Sequence, residues 1–177
     1  MKEIKLKKLS VEHTITFKEE MQEAFQYGFQ SYRQENKDGN EDTNQWQVLP
    51  DEDFYRSLEA EGAEAYEAID ADGQRVGGAI LSIHNATRQG ELAFLYVKVG
   101  IQSKGIGQAI WRAIESLHPE IEVWETCTPY FDRRNIHFYI NCCGFHAVEF
   151  FNAHHPDPNM PEQFDQEDGL FKFEKRM

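Results

Sequence analysis

The sequence predicts an α+β fold, in which a mixed, mostly antiparallel central sheet is flanked by helices. Two observations support this prediction. Apolar side chains alternate at strand spacing in some segments and recur at helical spacing in others, so both element types are expected. The predicted order is β, α, α, β, β, β, α, β, α, β, β. Three consecutive strands between pairs of helices favour a mixed sheet over a fully parallel one.

The N-terminal part of the chain is expected to contain two helices and four strands. Residues 1–9 alternate apolar side chains with lysines, which is typical of an edge strand. Ser10 is a candidate N-cap for a helix that continues to about residue 33. After a polar loop over 34–47, Pro50 and the acidic residues behind it begin a second helix. The strands that follow are predicted over 65–70, 75–84 and 91–99, with a hairpin turn over 70–73 and a bulge or close backbone approach at Gly77-Gly78.

The C-terminal part alternates helices and strands again. A helix is predicted from the glycines at 105 and 107 to about Leu117, where Pro119 stops it. A second, short helix over 136–143 ends at Gly144, a typical C′ position. The strands of this part are predicted over 121–126, 145–151 and 169–177. Because no internal repeat or linker interrupts the pattern, we expect one domain over residues 1–177.

The charge balance restricts the classes of partner. Eighteen Lys and Arg residues against 31 Asp and Glu residues give a net charge of −13. This argues against nucleic-acid binding and against docking on anionic membranes, and it is compatible with cationic substrates such as amines. Three cysteines without a recognisable signal peptide predict a cytoplasmic location. No stretch is long and apolar enough for a transmembrane span.

The segment Val97–Gly107 carries the main functional signal. An apolar strand runs through a glycine turn into an amphipathic helix, so backbone N–H groups and the positive end of the helix dipole point at one place. Such a place suits a phosphate or pyrophosphate. The segment does not match a phosphate-binding Walker loop, because Lys104 precedes the glycine, nor a dinucleotide fingerprint, because Ile110 replaces its third glycine.

The pattern Gln102-x-x-Gly105-x-Gly107 resembles the Q/R-x-x-G-x-G/A turn of the GCN5-related N-acetyltransferases (GNATs). The element order matches that family from end to end, so the resemblance implies the acyl-CoA N-acyltransferase fold. The segment from Asn135 to Phe145 also resembles the family's late helix, which carries a tyrosine and ends in Gly-Phe. Gly144 comes five positions after Tyr139 here, whereas in the family it usually comes four positions after the tyrosine.

The resemblance implies acetyl-CoA as co-substrate and assigns residues to it. Backbone groups of Val97 and Val99 would pair with the pantetheine arm, Asn135 would touch the cofactor, and Tyr139 would return a proton to the CoA thiolate. An asparagine is frequent in the family at position 132, where this chain has Asp132 with Asn135 nearby. The pyrophosphate would be held by the N–H groups of Gln102, Ser103, Lys104, Gly105, Ile106 and Gly107.

The predicted reaction is direct transfer of the acetyl group to a primary amine of a small molecule or peptide. An alkylamine is mostly protonated at neutral pH, so a carboxylate should help to remove its proton. Glu91 is the first candidate for this base and His84 the second; alternatively, Glu91 is a solvated strand end and His84 a hairpin residue. By the same resemblance, Trp46 and the acidic loop around it would border the acceptor.

Other interpretations stay open at this stage. The chain could be a non-catalytic acyl-CoA-binding or regulatory module, or an interaction domain that binds no nucleotide. A nucleophilic Cys127 has no histidine partner that the sequence can place. His146, His154, His155 and Asp157 fit no common zinc spacing, so no metal is expected. Edge strands near the C-terminus would allow a homodimer.

Overall fold

A computed structural model of the chain describes residues 3–36, 47–102, 105–159 and 169–177. The polar loop around Trp46, the turn residues Ser103 and Lys104, and residues 160–168 therefore lie outside the described part. The predictions made for them cannot be compared with the structure.

The described elements follow the order that the sequence predicts. A 3-10 turn, Val11–His13, precedes the first helix, and a π-helical turn, Phe138–Cys142, follows the last one. The α-helices are α1 Thr14–Asn36, α2 Asp51–Glu59, α3 Ile106–Leu117 and α4 Arg133–His137. The strands are β1 Lys5–Lys8, β2 Ala63–Ile69, β3 Arg75–His84, β4 Gln89–Val97, β5 Val123–Pro129, β6 His146–Phe151 and β7 Leu170–Arg176.

The strands hydrogen-bond in the order β1-β2-β3-β4-β5-β7-β6. Strand β4 pairs with β5 in parallel, whereas β1 with β2, β2 with β3, β5 with β7 and β6 with β7 pair antiparallel. This confirms the predicted mixed, mostly antiparallel sheet.

The chain falls into two compact units, which divide strand β4. The first comprises residues 1–83 and 93–119, and the second comprises 84–92 and 120–177. In the first unit α1 and α2 bury Phe17, Met21 and Phe54 against the sheet residues Ile80 and Tyr96. In the second, the largest fully buried side chains are Trp124, Phe145 and Phe173. Whether the chain acts as one domain stays a prediction.

The glycine pair in β3 lies where the backbone comes closest to its neighbours. A Cβ on Gly77 would lie 2.2 Å from the carbonyl oxygen of Tyr96, and one on Gly78 would lie 2.3 Å from the Phe17 ring. The β2–β3 register also shifts between Ala68 and Ile69. The sequence predicts a bulge or a close backbone approach at Gly77-Gly78; the close approach is present there, and the register shift lies beside the pair, at Val76.

Several predicted boundaries differ from the structure. Strand β4 begins and ends two residues earlier than predicted, and β5 runs to Pro129. The late helix starts at Arg133 because the Asp132 side chain accepts a hydrogen bond from the Asn135 N–H, an N-cap that the prediction missed. Ser10 does not cap through its side chain; its carbonyl accepts from the His13 N–H instead.

None of the helices in the described segments combines the length and the apolar character that crossing a bilayer requires.

Candidate active site

The end of β4 directs alternate backbone groups to opposite edges. The Lys98 N–H donates to the Val76 carbonyl of the neighbouring segment at 2.9 Å. Because successive residues of a strand point their N–H and C=O groups to opposite sides, those of Val97, the last residue of β4, point away from β3. Val99 lies in the turn that follows. Within the described chain, the ladder on that other edge of β4 comprises three residue pairs and stops at Glu91–Glu125.

The turn after β4 leads into a helix whose N-cap residue has no side chain that could cap it. Gly100 and Gly105 have φ angles of 94° and 75°, and Gly105 is the N-cap of α3. A glycine has no side chain to accept the N–H groups of the first turn, and these groups have no acceptor within a helix. No acidic residue lies in that first turn. The start of α3 thus fits an anionic group such as a pyrophosphate.

Side chains on either side of the turn hold it in place. Gln102 Nε2 donates to the Val97 carbonyl oxygen at 3.4 Å. Ile106 and Ile110 of α3 are buried, which fixes the start of the helix on the first unit. Gln102 therefore connects the strand end to the turn, and the apolar face of α3 orients the N–H groups.

Glu91 lies in an acidic environment within the second unit. Its register partner across the parallel pair is Glu125, so both carboxylates lie on the same face of the sheet. Partial removal from water raises the pKa of Glu91, and the charges of Glu125 and Asp157 raise it further, while His84 and Lys172 oppose the shift. Glu91 keeps part of its side chain in solvent. It can therefore exchange protons, with a pKa above the usual carboxylate range.

Tyr139 is buried in the second unit. Its ring centroid lies 5.7 Å from that of Phe145 and 6.1 Å from that of Phe173. Its hydroxyl shares a hydrogen bond with the side chain of Thr126, which donates to the Leu92 carbonyl at 2.8 Å. Burial raises the pKa of Tyr139 well above the ordinary phenol value, so its proton is retained at neutral pH.

Asn135 is engaged with its own N-cap. Its backbone N–H donates to Asp132 Oδ1 at 3.0 Å, and its side-chain amide donates to Asp132 Oδ2 at 2.8 Å. Burial raises the pKa of Asp132. Asp132 thus orients the side-chain amide of Asn135.

The alternative chemistries have little support in the described part of the chain. Partial removal from water and the charge of Glu91 raise the pKa of Cys127, which keeps an exposed surface, to about 12, so it is a poor nucleophile at neutral pH. His155 contacts Glu149 at 3.2 Å and stacks on Phe151. Among the described residues no group of three or more His, Cys, Asp or Glu side chains could hold a metal ion.

Comparison with known proteins decides the family. A model of the "Acetyltransferase (GNAT) family" matches residues 18–145. The chain belongs to the GNAT acetyltransferase family. The uncharacterised protein YrkN of Bacillus subtilis (strain 168) is 41% identical over 144 residues, which is 81% of this chain and 74% of that protein.

Solved GNAT structures share the fold at low sequence identity. A Bacillus subtilis acetyltransferase in complex with CoA has a TM-score of 0.62 at 17% identity, covering 100% of this chain and 99% of its own. The PaiA N-acetyltransferase of Thermoplasma acidophilum, in complex with coenzyme A, has a TM-score of 0.62 at 23% identity, covering 98% of this chain and 99% of its own. The spermidine N-acetyltransferase of Vibrio cholerae, in complex with CoA and spermine, has a TM-score of 0.64 at 12% identity, covering 98% of this chain and 95% of its own.

The unusual spacing before Gly144 in this GNAT protein has a structural explanation. The Cys143 N–H donates to the Phe138 carbonyl at 3.0 Å, five residues back, and forms the π-helical turn Phe138–Cys142. A π turn contains one residue more than an α turn. It therefore accommodates the extra residue between Tyr139 and Gly144.

Three residues near Glu91 were missed by the sequence analysis of this GNAT protein. Glu125, Lys172 and Asp157 all act on its pKa, and Lys172 Nζ lies 3.3 Å from Glu125 Oε1. Glu125 could have been noticed, because it alternates with the buried Trp124 and Thr126 along β5. Lys172 could not, since only the pairing of β5 with β7 brings it close. Asp157 is far from Glu91 in the sequence, and no local pattern connects the two.

Proposed function

We propose that this GNAT protein transfers the acetyl group of acetyl-CoA to a primary amine of a small molecule or peptide, by direct attack in a ternary complex. The observation that carries the proposal is the uncapped start of α3 behind a strand end with outward-directed backbone groups, in a chain of the GNAT family. In this reaction the amine nitrogen bonds to the acetyl carbon, the C–S bond breaks, and CoA leaves as a thiolate that takes up a proton. No enzyme nucleophile is needed.

The residues of the strand end and the turn would hold acetyl-CoA. The parity of β4 supports pairing of Val97 with the pantetheine arm, because its N–H and C=O groups point away from β3. Pairing of Val99, which lies in the turn after β4, is proposed from the family resemblance. Asn135 is proposed to contact the same co-substrate. The N–H groups proposed for the pyrophosphate are those of Gln102, Ser103, Lys104, Gly105, Ile106 and Gly107.

Glu91 is the proposed base and Tyr139 the proposed acid. A carboxylate whose pKa is raised accepts a proton from an ammonium more readily than one with an ordinary pKa. A buried phenol that keeps its proton at neutral pH can donate it to a thiolate. Each proposed role is supported by the electrostatics of one residue in its own surroundings, and each can be tested separately.

A cationic amine is the favoured class of acceptor. The net charge of −13 attracts cations, and the Vibrio cholerae relative acts on spermidine by name.

The three cysteines remain thiols, which supports the expected cytoplasmic location. We also expect that the protein can form a homodimer.

The decisive experiment measures thiol release from acetyl-CoA over a panel of amines, from monoamines and polyamines to peptides with free N-termini. We expect release with at least one amine and none without an acceptor. Tyr139→Phe should lower turnover by about 100-fold, as expected for loss of a general acid, with an unchanged dissociation constant for acetyl-CoA. Calorimetry supplies that constant.

The rival function, a non-catalytic acyl-CoA-binding module, gives a different result. It binds acetyl-CoA in calorimetry but releases no thiol with any amine, and Tyr139→Phe changes nothing. If the wild-type protein turns over and Tyr139→Phe is equally active, the proton donor is another group.

A further inference from the structure

The carboxylate of Glu20, on α1, collects hydrogen bonds from two consecutive strands. Arg75 of β3 binds it in a bidentate manner, with Nε at 2.9 Å from Oε2 and Nη2 at 3.1 Å from Oε1. The Tyr96 hydroxyl of β4 donates to Oε2 at 2.8 Å, and Lys98 Nζ lies 3.5 Å from Oε1. The Glu20 side chain is 15% exposed. Such charge-assisted bonds away from bulk water are the strong ones in proteins.

Two of these partners flank Val97, the first residue proposed to pair with the pantetheine arm. Tyr96 is buried, and the ring of Phe17, one turn before Glu20, packs edge-on against it at 5.3 Å. Lys98 directly follows β4, and its N–H donates to the Val76 carbonyl of the neighbouring strand. Glu20 and Phe17 therefore hold the residues on both sides of Val97 from a single helix face.

A second carboxylate offers a natural comparison. Glu67 of β2 also accepts a hydrogen bond from Arg75, and it contacts His13 Nδ1 at 3.0 Å. It is 2% exposed, so it is more deeply buried than Glu20. The hydrogen bonds and ion pairs described for Glu67 are to β3 and to the 3-10 turn before α1, and it acts on Tyr96 through its charge alone. It shares the cation but not the connection to β4.

We propose that Glu20 is a positioning residue for acetyl-CoA: by holding Tyr96 and Lys98 it keeps the backbone of Val97 in strand geometry before the co-substrate binds. This inference rests on the proposed function. A strand end that is already ordered loses less conformational entropy on binding, and a protein whose competent state is only partly populated binds correspondingly more weakly. The role is separate from fold stability, which both carboxylates serve.

The test compares Glu20→Gln with Glu67→Gln in the full chain. Calorimetry with acetyl-CoA gives the dissociation constant, urea unfolding gives the stability, and hydrogen exchange followed by mass spectrometry gives the protection of residues 97–101. We expect Glu20→Gln to raise the dissociation constant about tenfold, the equivalent of one charge-assisted hydrogen bond, and to speed exchange at 97–101. Glu67→Gln should lose at least as much stability while its dissociation constant stays within about twofold of the wild-type value.

A second variant keeps the proposal testable if Glu20→Gln does not fold. Tyr96→Phe removes only the hydroxyl that donates to Glu20, and it should raise the dissociation constant in the same direction. Turnover at saturating acetyl-CoA should be unchanged in every folded variant, because the effect is on binding. Equal dissociation constants for the wild-type protein, Glu20→Gln and Tyr96→Phe, or an equal rise in Glu67→Gln, would overturn the positioning role. A wild-type protein that binds no acetyl-CoA would instead overturn the proposed function itself.

Discussion

At the scale of single residues, the proposed chemistry depends most on the electrostatics around Glu91. Its carboxylate is partly removed from water and faces the like charge of Glu125 at the adjacent register position. Both effects disfavour the ionised form and raise the pKa above about 4.3, the ordinary value for glutamate. A base must be ionised to accept a proton, so the rate should fall on the acidic side as Glu91 becomes protonated.

We predict that Glu125→Gln shifts this acidic limb to lower pH. Removing the like charge lowers the pKa of Glu91, and it also releases Lys172 from its ion pair, which acts in the same direction. Glu91→Gln should lower turnover by about 100-fold or more and remove the limb. Turnover measured across pH with saturating substrates gives both results.

The matched control for that prediction is Glu122→Gln. Glu122 is an exposed carboxylate just before β5 whose partner is Arg88. Its replacement should leave the acidic limb where it is. A limb that moves equally in Glu122→Gln and Glu125→Gln would show that net charge, rather than the neighbour of Glu91, sets its position.

At the scale of elements, the turn between β4 and α3 has a glycine at a positive φ angle, and the space on its Cβ side is open. Gly105 has a φ angle of 75°, and a Cβ built on it would meet no atom of the described chain within 4 Å. A side chain there is therefore disfavoured by backbone conformation alone. The open space on the Cβ side would let a ligand approach the backbone closely.

We predict that Gly105→Glu abolishes acetyl-CoA binding while the protein stays folded. The substitution costs about 1 kcal/mol in backbone strain, and its negative charge repels the pyrophosphate. Calorimetry and thermal unfolding measure the two effects separately.

Gly73→Glu is the matched control for the turn. Gly73 has a φ angle of 80° in the β2–β3 hairpin, and its Cβ position is equally open. The stability loss should be similar, with acetyl-CoA binding retained. Unchanged affinity in a folded Gly105→Glu protein would contradict the assignment of this turn to the co-substrate.

At the scale of the whole molecule, Arg75 is a cation shared by two carboxylates of the first unit, the buried Glu67 and the half-buried Glu20. Burial opposes the ionisation of Glu20 and Glu67, but hydrogen bonds from Arg75, with Tyr96 on one carboxylate and His13 on the other, outweigh it and lower both pKa values. Because the folded pKa values are lowered, these groups stabilise the fold fully above the pKa of the unfolded chain. That contribution is lost as the pH falls through the folded values.

We predict that Arg75→Leu lowers the free energy of unfolding by about 3–5 kcal/mol at neutral pH, because the buried Glu67 and the half-buried Glu20 lose the cation that they share. In the variant the pKa values of both carboxyls rise, so its stability should depend less steeply on acidification and the gap to the wild-type protein should narrow. Urea unfolding at a series of pH values measures the gap. A gap that stays constant with pH would show that packing, rather than charge, explains the loss.

Arg56→Leu is the control at this scale. Arg56 is 45% exposed and pairs with Asp53 and Glu52 within α2. Surface ion pairs contribute little, so its removal should cost within about 1 kcal/mol at any pH.

The sequence alone predicted the element order, the α+β class and the turn at Gly105. These features are local: side-chain periodicity distinguishes helix from strand, and a positive φ angle favours glycine whatever surrounds it. The close approach at Gly77-Gly78 was predicted because a glycine inside a strand often marks such a contact. Family resemblance added the positions at which acetyl-CoA and the acid are expected.

Only the tertiary structure decided which polar side chains meet. Glu20 and Tyr96 are 76 positions apart along the chain, and Glu125 lies beside Glu91 because β4 and β5 pair in parallel at one register. The π turn after α4, with its hydrogen bond from the Cys143 N–H to the Phe138 carbonyl, was likewise not predicted; the sequence showed only the extra residue before Gly144. Local periodicity records which face of an element is buried, but it contains no information about which distant residue lies opposite.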